Sequence, residues 1–214
     1  LNRGGNQKII EGEIALVAVG VTGNIEQIGL ENVGIHTHGG AITINEFNQS
    51  SVSNIYAIGD VTGPPWLAHV ASAQGHVAAE HASGQETIPV DYTNIPGCTY
   101  CQPQIASLGL TEEDAKNNGY KVKIGKFDFK GSGKAMATGN TAGFVKLVFD
   151  SQYGELLGAH IIGSEATEMI AELGMVKALE STWYELATTV HAHPTLSEAI
   201  MEAALDAMGQ GVHQ

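Results

Sequence analysis

The sequence has few cysteines, few basic residues and no long hydrophobic run. Its two cysteines form no disulfide framework and fit a reducing compartment, the bacterial cytoplasm or the mitochondrial matrix. No apolar run approaches the ~20 residues needed to cross a bilayer, so we expect no membrane association. The 10 basic and 23 acidic residues give a net charge of −13, which argues against nucleic acid as a partner.

The remaining composition is that of a globular protein, with 43% hydrophobic and 15% charged residues. The length of 214 residues permits one large domain or two small ones. Turn residues between Pro89 and Pro96 predict a domain boundary there. The acidic charge suits docking onto a basic protein surface, and it equally suits solubility alone.

Hydrophobic periodicity predicts strands and helices along the whole chain. Before the boundary, we expect strands at residues 14–20, 42–44 and 55–58 and a helix at residues 67–82. After it, we expect a helix at 111–118, strands at 120–129, 143–150 and 155–162, and helices at 164–181 and after Pro194. Strands followed by helices indicate an α+β domain.

The last helix has two apolar stripes. The first stripe consists of Leu196, Ile200, Ala203 and Ala207, and the second stripe consists of Met201, Leu205 and Met208. A helix that is apolar on both sides is buried on both sides. The second surface is either the core of the same domain or a subunit interface.

An imidazole and a carboxylate lie close together in residues 191–198, which read His-Ala-His-Pro-Thr-Leu-Ser-Glu. His193 can take up and return a proton near neutral pH, and Glu198 can hold one ring nitrogen and stabilise the imidazolium. Thr195 and Glu198 also have the T-x-x-E spacing of a capping box before an apolar helix. On spacing alone, Glu198 is either the partner of a catalytic histidine or a helix cap.

Three other features suggest ligand contacts. Asp60, at the end of a predicted strand, can accept hydrogen bonds from sugar hydroxyls, or it is an ordinary turn aspartate. The helix that opens at residues 66–69 has free N–H groups that favour negative charge, while its alanines also suit tight packing. Gly20 ends a predicted strand and is either a ligand contact or a turn glycine.

Cys98 and Cys101 have the C-x-x-C spacing of a redox pair or of half a zinc site. No second C-x-x-C exists in the sequence, so structural or idle thiols are the simpler interpretation. His191 and His193 also suggest a metal pair, but zinc needs three or four protein ligands and no third is near in sequence. We therefore expect no metal site.

Six segments resemble one family. HAHPTLSEA resembles the C-terminal signature of the dihydrolipoamide dehydrogenases, a branch of the flavoprotein disulfide reductases. The other five segments resemble the same family in its own order: IALVAVG (14–20), NIYAIGDVTG (54–63), WLAHVASAQG (66–75), IPGCTYCQP (95–103) and GFVKLVFD (143–150). The resemblance covers nearly the whole chain. The LAHVAS and HAHPTLSE residues favour the lipoamide enzymes over glutathione or mercuric reductases.

The resemblance implies an enzyme that oxidises protein-bound dihydrolipoamide and reduces NAD⁺ through FAD and a redox disulfide. His193 would be the acid–base catalyst and Glu198 would orient it, across the interface of a homodimer. Lipoyl-bearing and core subunits of 2-oxo acid dehydrogenase complexes would be its partners. The implied cofactor contacts are Gly20 for NAD and, for FAD, Asp60, Trp66, Leu67, Ala68 and His69.

Three family motifs are missing from the sequence: the G-x-G-x-x-G turn for FAD, the C-x-x-x-x-C disulfide and the NAD phosphate loop. The resemblance therefore implies the C-terminal half of such an enzyme, inactive alone and without tightly held FAD. We expect a remnant of the NAD-binding domain (1–23), the C-terminal part of the α/β, Rossmann-like FAD-binding region (24–92) and an α+β dimerisation domain (93–214). The alternative is a non-enzymatic dimerisation or assembly module that docks onto such a complex.

Overall fold

The computed structural model describes residues 9–212 and the backbone of residues 2–3 and 6–7. The chain divides into two compact units, the first ending at Val90 and the second beginning at Asp91. In the described ranges, no helix combines the length and the apolar character needed to span a membrane. The further division of the first 92 residues into two segments stays a prediction.

The first unit contains short paired strands and one long helix. Strand β1 (Asn2–Arg3) pairs antiparallel with β2 (Asn6–Gln7), and β3 (Thr37–His38) pairs antiparallel with β4 (Ala41–Ile42). Helix α1 (Ala68–Ala82) confirms the helix predicted at residues 67–82.

The strand predictions in this unit are wrong in whole or in part. Residues 14–20 are irregular and exposed, with Ile14 91% and Val19 93% exposed. An apolar run becomes a buried parallel strand only between neighbouring strands, and none pairs with these residues in the described part of the chain. Of residues 55–58 only Tyr56 pairs, in an isolated bridge, and of residues 42–44 only Ile42 lies in a strand.

Helix α1 packs through one face and ends at a glycine. Its buried residues recur at helical spacing: Val70, Gln74, Val77 and Ala78. Gly84 has a φ of 77°, and its backbone N–H donates to a carbonyl of the last turn. Glycine adopts this left-handed conformation without a steric penalty, so the helix ends where the sequence predicts.

The second unit is built on a five-stranded antiparallel sheet. The strands are β5 (Gly97–Thr99), β6 (Gln104–Gly109), β7 (Val122–Asp128), β8 (Phe144–Asp150) and β9 (Leu156–Gly163), in the order β5-β6-β9-β8-β7. The last three strands confirm the predictions, whereas β5 and β6 were not predicted. A turn at residues 151–154 joins β8 to β9, between the two predicted strands.

Five helices complete this unit: α2 (Glu112–Asn117), α3 (Gly133–Thr138), α4 (Ala166–Ala178), α5 (Trp183–Thr188) and α6 (Glu198–Ala207). Helix α4 packs on β6 and β9, and α6 packs on β7 and β8. Helices α2, α4 and α6 confirm predictions, and α3 and α5 were not predicted. The predicted α+β fold is confirmed.

Helix α6 lies on the sheet through its first apolar stripe. Ile200, Ala203 and Ala207 are buried, while the second stripe is only half-buried. The helix approaches the sheet closely at Gly125 of β7, where a Cβ atom would lie 1.9 Å from the Ala203 carbonyl oxygen. Because a larger side chain at position 125 would collide with α6, the glycine lets the helix lie close to the sheet. This packing sets the position of Glu198, the first residue of α6.

Candidate active site

The two residues predicted to form an acid–base pair are hydrogen-bonded to each other. His193 lies in the loop between α5 and α6, and its Nδ1 is 2.8 Å from Oε1 of Glu198. The His193 side chain is 78% exposed and that of Glu198 is 25% exposed. An ionised carboxylate can only accept, so this contact places the ring proton of His193 on Nδ1 and leaves Nε2 able to accept a proton.

The second carboxylate oxygen of Glu198 binds the backbone. The Thr195 N–H donates to Oε2 at 2.7 Å, which is one half of the predicted capping box. The Thr195 hydroxyl instead donates to the Ala192 carbonyl oxygen at 2.7 Å. The two interpretations of Glu198 are therefore compatible, because one oxygen contacts the backbone and the other contacts the imidazole.

The surroundings of Glu198 favour its ionised form. Its pKa is lowered, first by the hydrogen bond from the Thr195 N–H and then by the hydrogen bond and positive charge of His193, with His191 adding to the effect and burial opposing it. The largest cause is a backbone group that does not titrate. Glu198 can thus remain an anion through a protonation cycle of His193, as a group that stabilises an imidazolium must.

A second histidine–carboxylate pair lies beside the first and was not predicted. Nε2 of His191 is 2.7 Å from Oε1 of Glu172 on α4. The sequence suggests His191 only as a metal ligand, and no local spacing links it to Glu172, which is 19 residues away.

Asp60 lies in a 3-10 turn (Gly59–Thr62) rather than at the end of a regular strand, and its side chain is exposed. Gln74 of α1 holds this turn: its buried side-chain oxygen accepts from the Gly59 N–H at 2.6 Å, and its amide nitrogen is 3.4 Å from Oγ1 of Thr62. Asp60 is therefore an accessible acceptor on a turn that is fixed to the helix. Gln74 lies in the WLAHVASAQG segment, but nothing in its sequence spacing points to this role.

The predicted residues at the start of α1 lie around an uncapped helix end. Leu67 precedes the helix in an extended conformation, and no side chain caps it. Ala68 and His69 are exposed, Trp66 is 39% exposed and Leu67 is half-buried. The positive end of the helix dipole is thus accessible, beside the small side chain of Ala68.

Gly20 lies in the irregular segment that replaces the first predicted strand. It is exposed, and no atom lies within 4 Å of the position that a Cβ would occupy. Gly20 is therefore open to solvent on the side that a Cβ would occupy, and its contact with NAD stays a prediction.

The two cysteines differ in environment. Cys98 lies in β5 and packs against the core, and burial, with a smaller contribution from Glu168, raises the pKa of its thiol. Cys101 is exposed, and its Sγ is 3.0 Å from the Pro103 carbonyl oxygen. A raised pKa disfavours the reactive thiolate of Cys98. No group of three or more His, Cys, Asp or Glu side chains in the described residues could hold a metal ion.

Both units match models of one family. Residues 95–204 match the dimerisation domain of the pyridine nucleotide-disulphide oxidoreductases, and residues 2–75 match the pyridine nucleotide-disulphide oxidoreductase model. The crystal structure of LpdA from Mycobacterium tuberculosis superimposes with a TM-score of 0.82 at 28% identity, covering 86% of this chain and 40% of that one.

Two curated relatives share the same name. The chain is 51% identical over 200 residues to dihydrolipoyl dehydrogenase of Zymomonas mobilis. It is 52% identical over 201 residues to dihydrolipoyl dehydrogenase of Bacillus subtilis. These alignments cover 93% and 94% of this chain but only 43% and 42% of the relatives, so the chain spans less than half of their length.

Proposed function

Because the chain belongs to the pyridine nucleotide-disulphide oxidoreductase family, we propose that it supplies the acid–base pair and the dimer interface of a dihydrolipoamide dehydrogenase. The observation that carries the proposal is the 2.8 Å contact between His193 Nδ1 and Glu198 Oε1, with the histidine side chain 78% exposed. The relatives named dihydrolipoyl dehydrogenase support the substrate class.

The chemistry follows from what a thiol needs in order to react. The thiolate is the nucleophile in thiol–disulfide exchange, so a substrate dithiol must first lose a proton. Nε2 of His193 takes that proton, and Glu198 stabilises the imidazolium. The thiolate then attacks one sulfur of a protein disulfide, a new S–S bond forms, and the displaced sulfur leaves as a thiolate. The second substrate thiol then loses its proton and attacks the substrate sulfur of this mixed disulfide, which closes the substrate disulfide and releases the second protein sulfur as a thiolate. The dithiol is thereby oxidised and the protein disulfide reduced, and the imidazolium of His193 can return its proton to a released thiolate.

The first unit fits part of an FAD site. Asp60 is an exposed acceptor suited to the hydroxyl groups of a ribityl chain, and the uncapped start of α1 at Trp66, Leu67, Ala68 and His69 suits an electron-rich ring. When bound, FAD would take electrons from the reduced disulfide and pass them to NAD⁺. Gly20 is exposed, and its contact with NAD rests on the family resemblance alone, so we assign no step to it.

The second unit carries the proposed interface of a homodimer. Its match to a dimerisation domain and the half-buried stripe of Met201, Leu205 and Met208 support this assignment. Lipoyl-bearing and core subunits of a 2-oxo acid dehydrogenase complex are the proposed further partners. The absence of the G-x-G-x-x-G and C-x-x-x-x-C motifs favours the alternative of a non-enzymatic assembly module for the chain alone. A flavin band in the absorbance spectrum of the 214-residue chain would rule out this alternative, since a bound flavin indicates a cofactor-competent protein.

The test uses a fusion in which the rest of the Bacillus subtilis relative precedes this chain. His193→Gln should slow dithiol oxidation by about 100- to 10,000-fold, the usual effect of losing a general acid–base group. Glu198→Gln should be milder, because it keeps a hydrogen-bonding group and loses only the charge. His38→Gln and Glu113→Gln, at exposed sites, are the controls. Unchanged flavin reduction in His193→Gln would refute the catalytic assignment.

A further inference from the structure

His191 is a buried imidazole that the proposed chemistry does not use. Its side chain is 6% exposed, against 78% for His193 two residues later. Nε2 is 2.7 Å from Oε1 of Glu172, and Nδ1 is 3.0 Å from the carbonyl oxygen of Thr189. Glu172 belongs to α4 and Thr189 caps the end of α5, so the ring ties the His193 loop to two helices.

Both partners of the His191 ring are hydrogen-bond acceptors. A neutral imidazole has one N–H and one lone pair. A neutral ring would therefore set a lone pair of one nitrogen against a lone pair of oxygen at hydrogen-bonding distance. The two contacts are satisfied together only when both ring nitrogens carry protons, and the carboxylate of Glu172 then balances the buried charge.

The loop that carries His193 is thereby fixed on both sides. Upstream, His191 is held by α4 and by the end of α5. Downstream, the Thr195 N–H donates to Glu198, and its hydroxyl donates to the Ala192 carbonyl. His193 extends into solvent between these two anchors and is hydrogen-bonded to Glu198. An exposed catalytic side chain needs such a fixed backbone, since a displacement of about 1 Å can cost about 100-fold in rate.

We propose that Glu172 and His191 are positioning residues for the His193–Glu198 pair. The doubly protonated ring of His191 anchors the loop and places a positive charge beside Glu198. The charged groups that face it are Glu172 from α4 and Glu198 from α6. This inference rests on the proposed function, because it gives the second pair a role in the same site.

The first test is ring NMR of the ¹⁵N-histidine-labelled 214-residue chain at neutral pH. We expect two ring-bonded protons on His191. In Glu172→Gln the amide N–H can donate to a ring lone pair, so we expect one ring proton. Glu168→Gln, an exposed carboxylate one turn earlier on α4, should leave two. A single ring proton in the unaltered chain, or two in Glu172→Gln, would overturn the inference.

The second test measures turnover of the fusion described above. Glu172→Gln should lower kcat for dithiol oxidation by about 10- to 100-fold, with the KM for NAD⁺ unchanged, whereas Glu168→Gln should match the unaltered protein. Full turnover in Glu172→Gln would refute the positioning role. Full turnover in His193→Gln would instead refute the proposed function itself. A failure of the NMR test alone would overturn only this inference.

Discussion

Replacing Gly125 by alanine should lift helix α6 from the sheet. The new Cβ would lie 1.9 Å from the Ala203 carbonyl oxygen, whereas ordinary contact begins near 3.4 Å, so the backbones must separate by about 1.5 Å. Overpacking a core costs about 1 to 3 kcal/mol, and the upper value applies because the obstacle is backbone. The lower chain entropy of alanine offsets about 0.4 to 1 kcal/mol. The net loss of unfolding free energy should be about 2 kcal/mol.

A loss of that size should lower the melting temperature by roughly 5 to 10 °C in calorimetry. The same displacement moves Glu198 away from His193, so ring NMR should show the loss of the Nδ1–H hydrogen bond of His193. Gly133→Ala is the matched control, because it has no atom within 4 Å of its new Cβ and should leave both readings unchanged or raise stability slightly. If the Gly125→Ala protein has the same melting temperature as the unaltered chain, this account of the α6 packing is refuted.

Three further predictions concern the interface, an ion pair and the thiols. Leu205→Asp should split the proposed dimer in sedimentation, since burying an unpaired carboxylate costs roughly several kcal/mol, while exposed Gln210→Asp should not. Hydrogen bonds from Lys116 and Lys146 lower the pKa of Glu112 from 4.5 to about 2. The ionised carboxylate therefore stabilises the folded protein above pH 4.5, and this stabilisation is lost as the pH falls towards 2. Between these two pH values, Glu112→Gln should lose less unfolding free energy than the unaltered chain. Iodoacetamide should label exposed Cys101 before Cys98, whose pKa is raised by burial, as peptide mass spectrometry would show; equal rates would contradict the assigned environments.

The elements that can be predicted from the sequence are those with a complete local signal. Helix α4 shows helical periodicity, and strands β8 and β9 flank a turn that ends in Gly154. Helix α5 was missed although Thr182 and Glu185 form a capping box, because six residues are too few to show periodicity. The strand predicted at residues 14–20 is wrong because a buried strand depends on neighbours that no local pattern contains.

In the candidate site too, the contacts with a local sequence signal could be predicted and the others could not. His193 and Glu198 could be paired from sequence because five positions separate them and Thr195 fixes the turn between them. Glu172 reaches His191 only through the packing of α4 beside the loop, so the spacing of 19 residues gives no hint of the contact. Gln74 likewise reaches Gly59 across 15 residues, through the fold of the first unit.

The capping and acid–base interpretations of Glu198 reinforce each other. The N-terminus of a helix favours an anion, and the first residue of α6 is where a carboxylate also satisfies a backbone N–H. The hydrogen bond from that N–H is the largest single cause of the lowered pKa of Glu198, and it is present whether or not the imidazole is protonated. A helix start thus provides a fixed anion next to a histidine in solvent. The same geometry explains why removing the charge of Glu198 should affect both stability and turnover, whereas removing His193 should affect turnover alone.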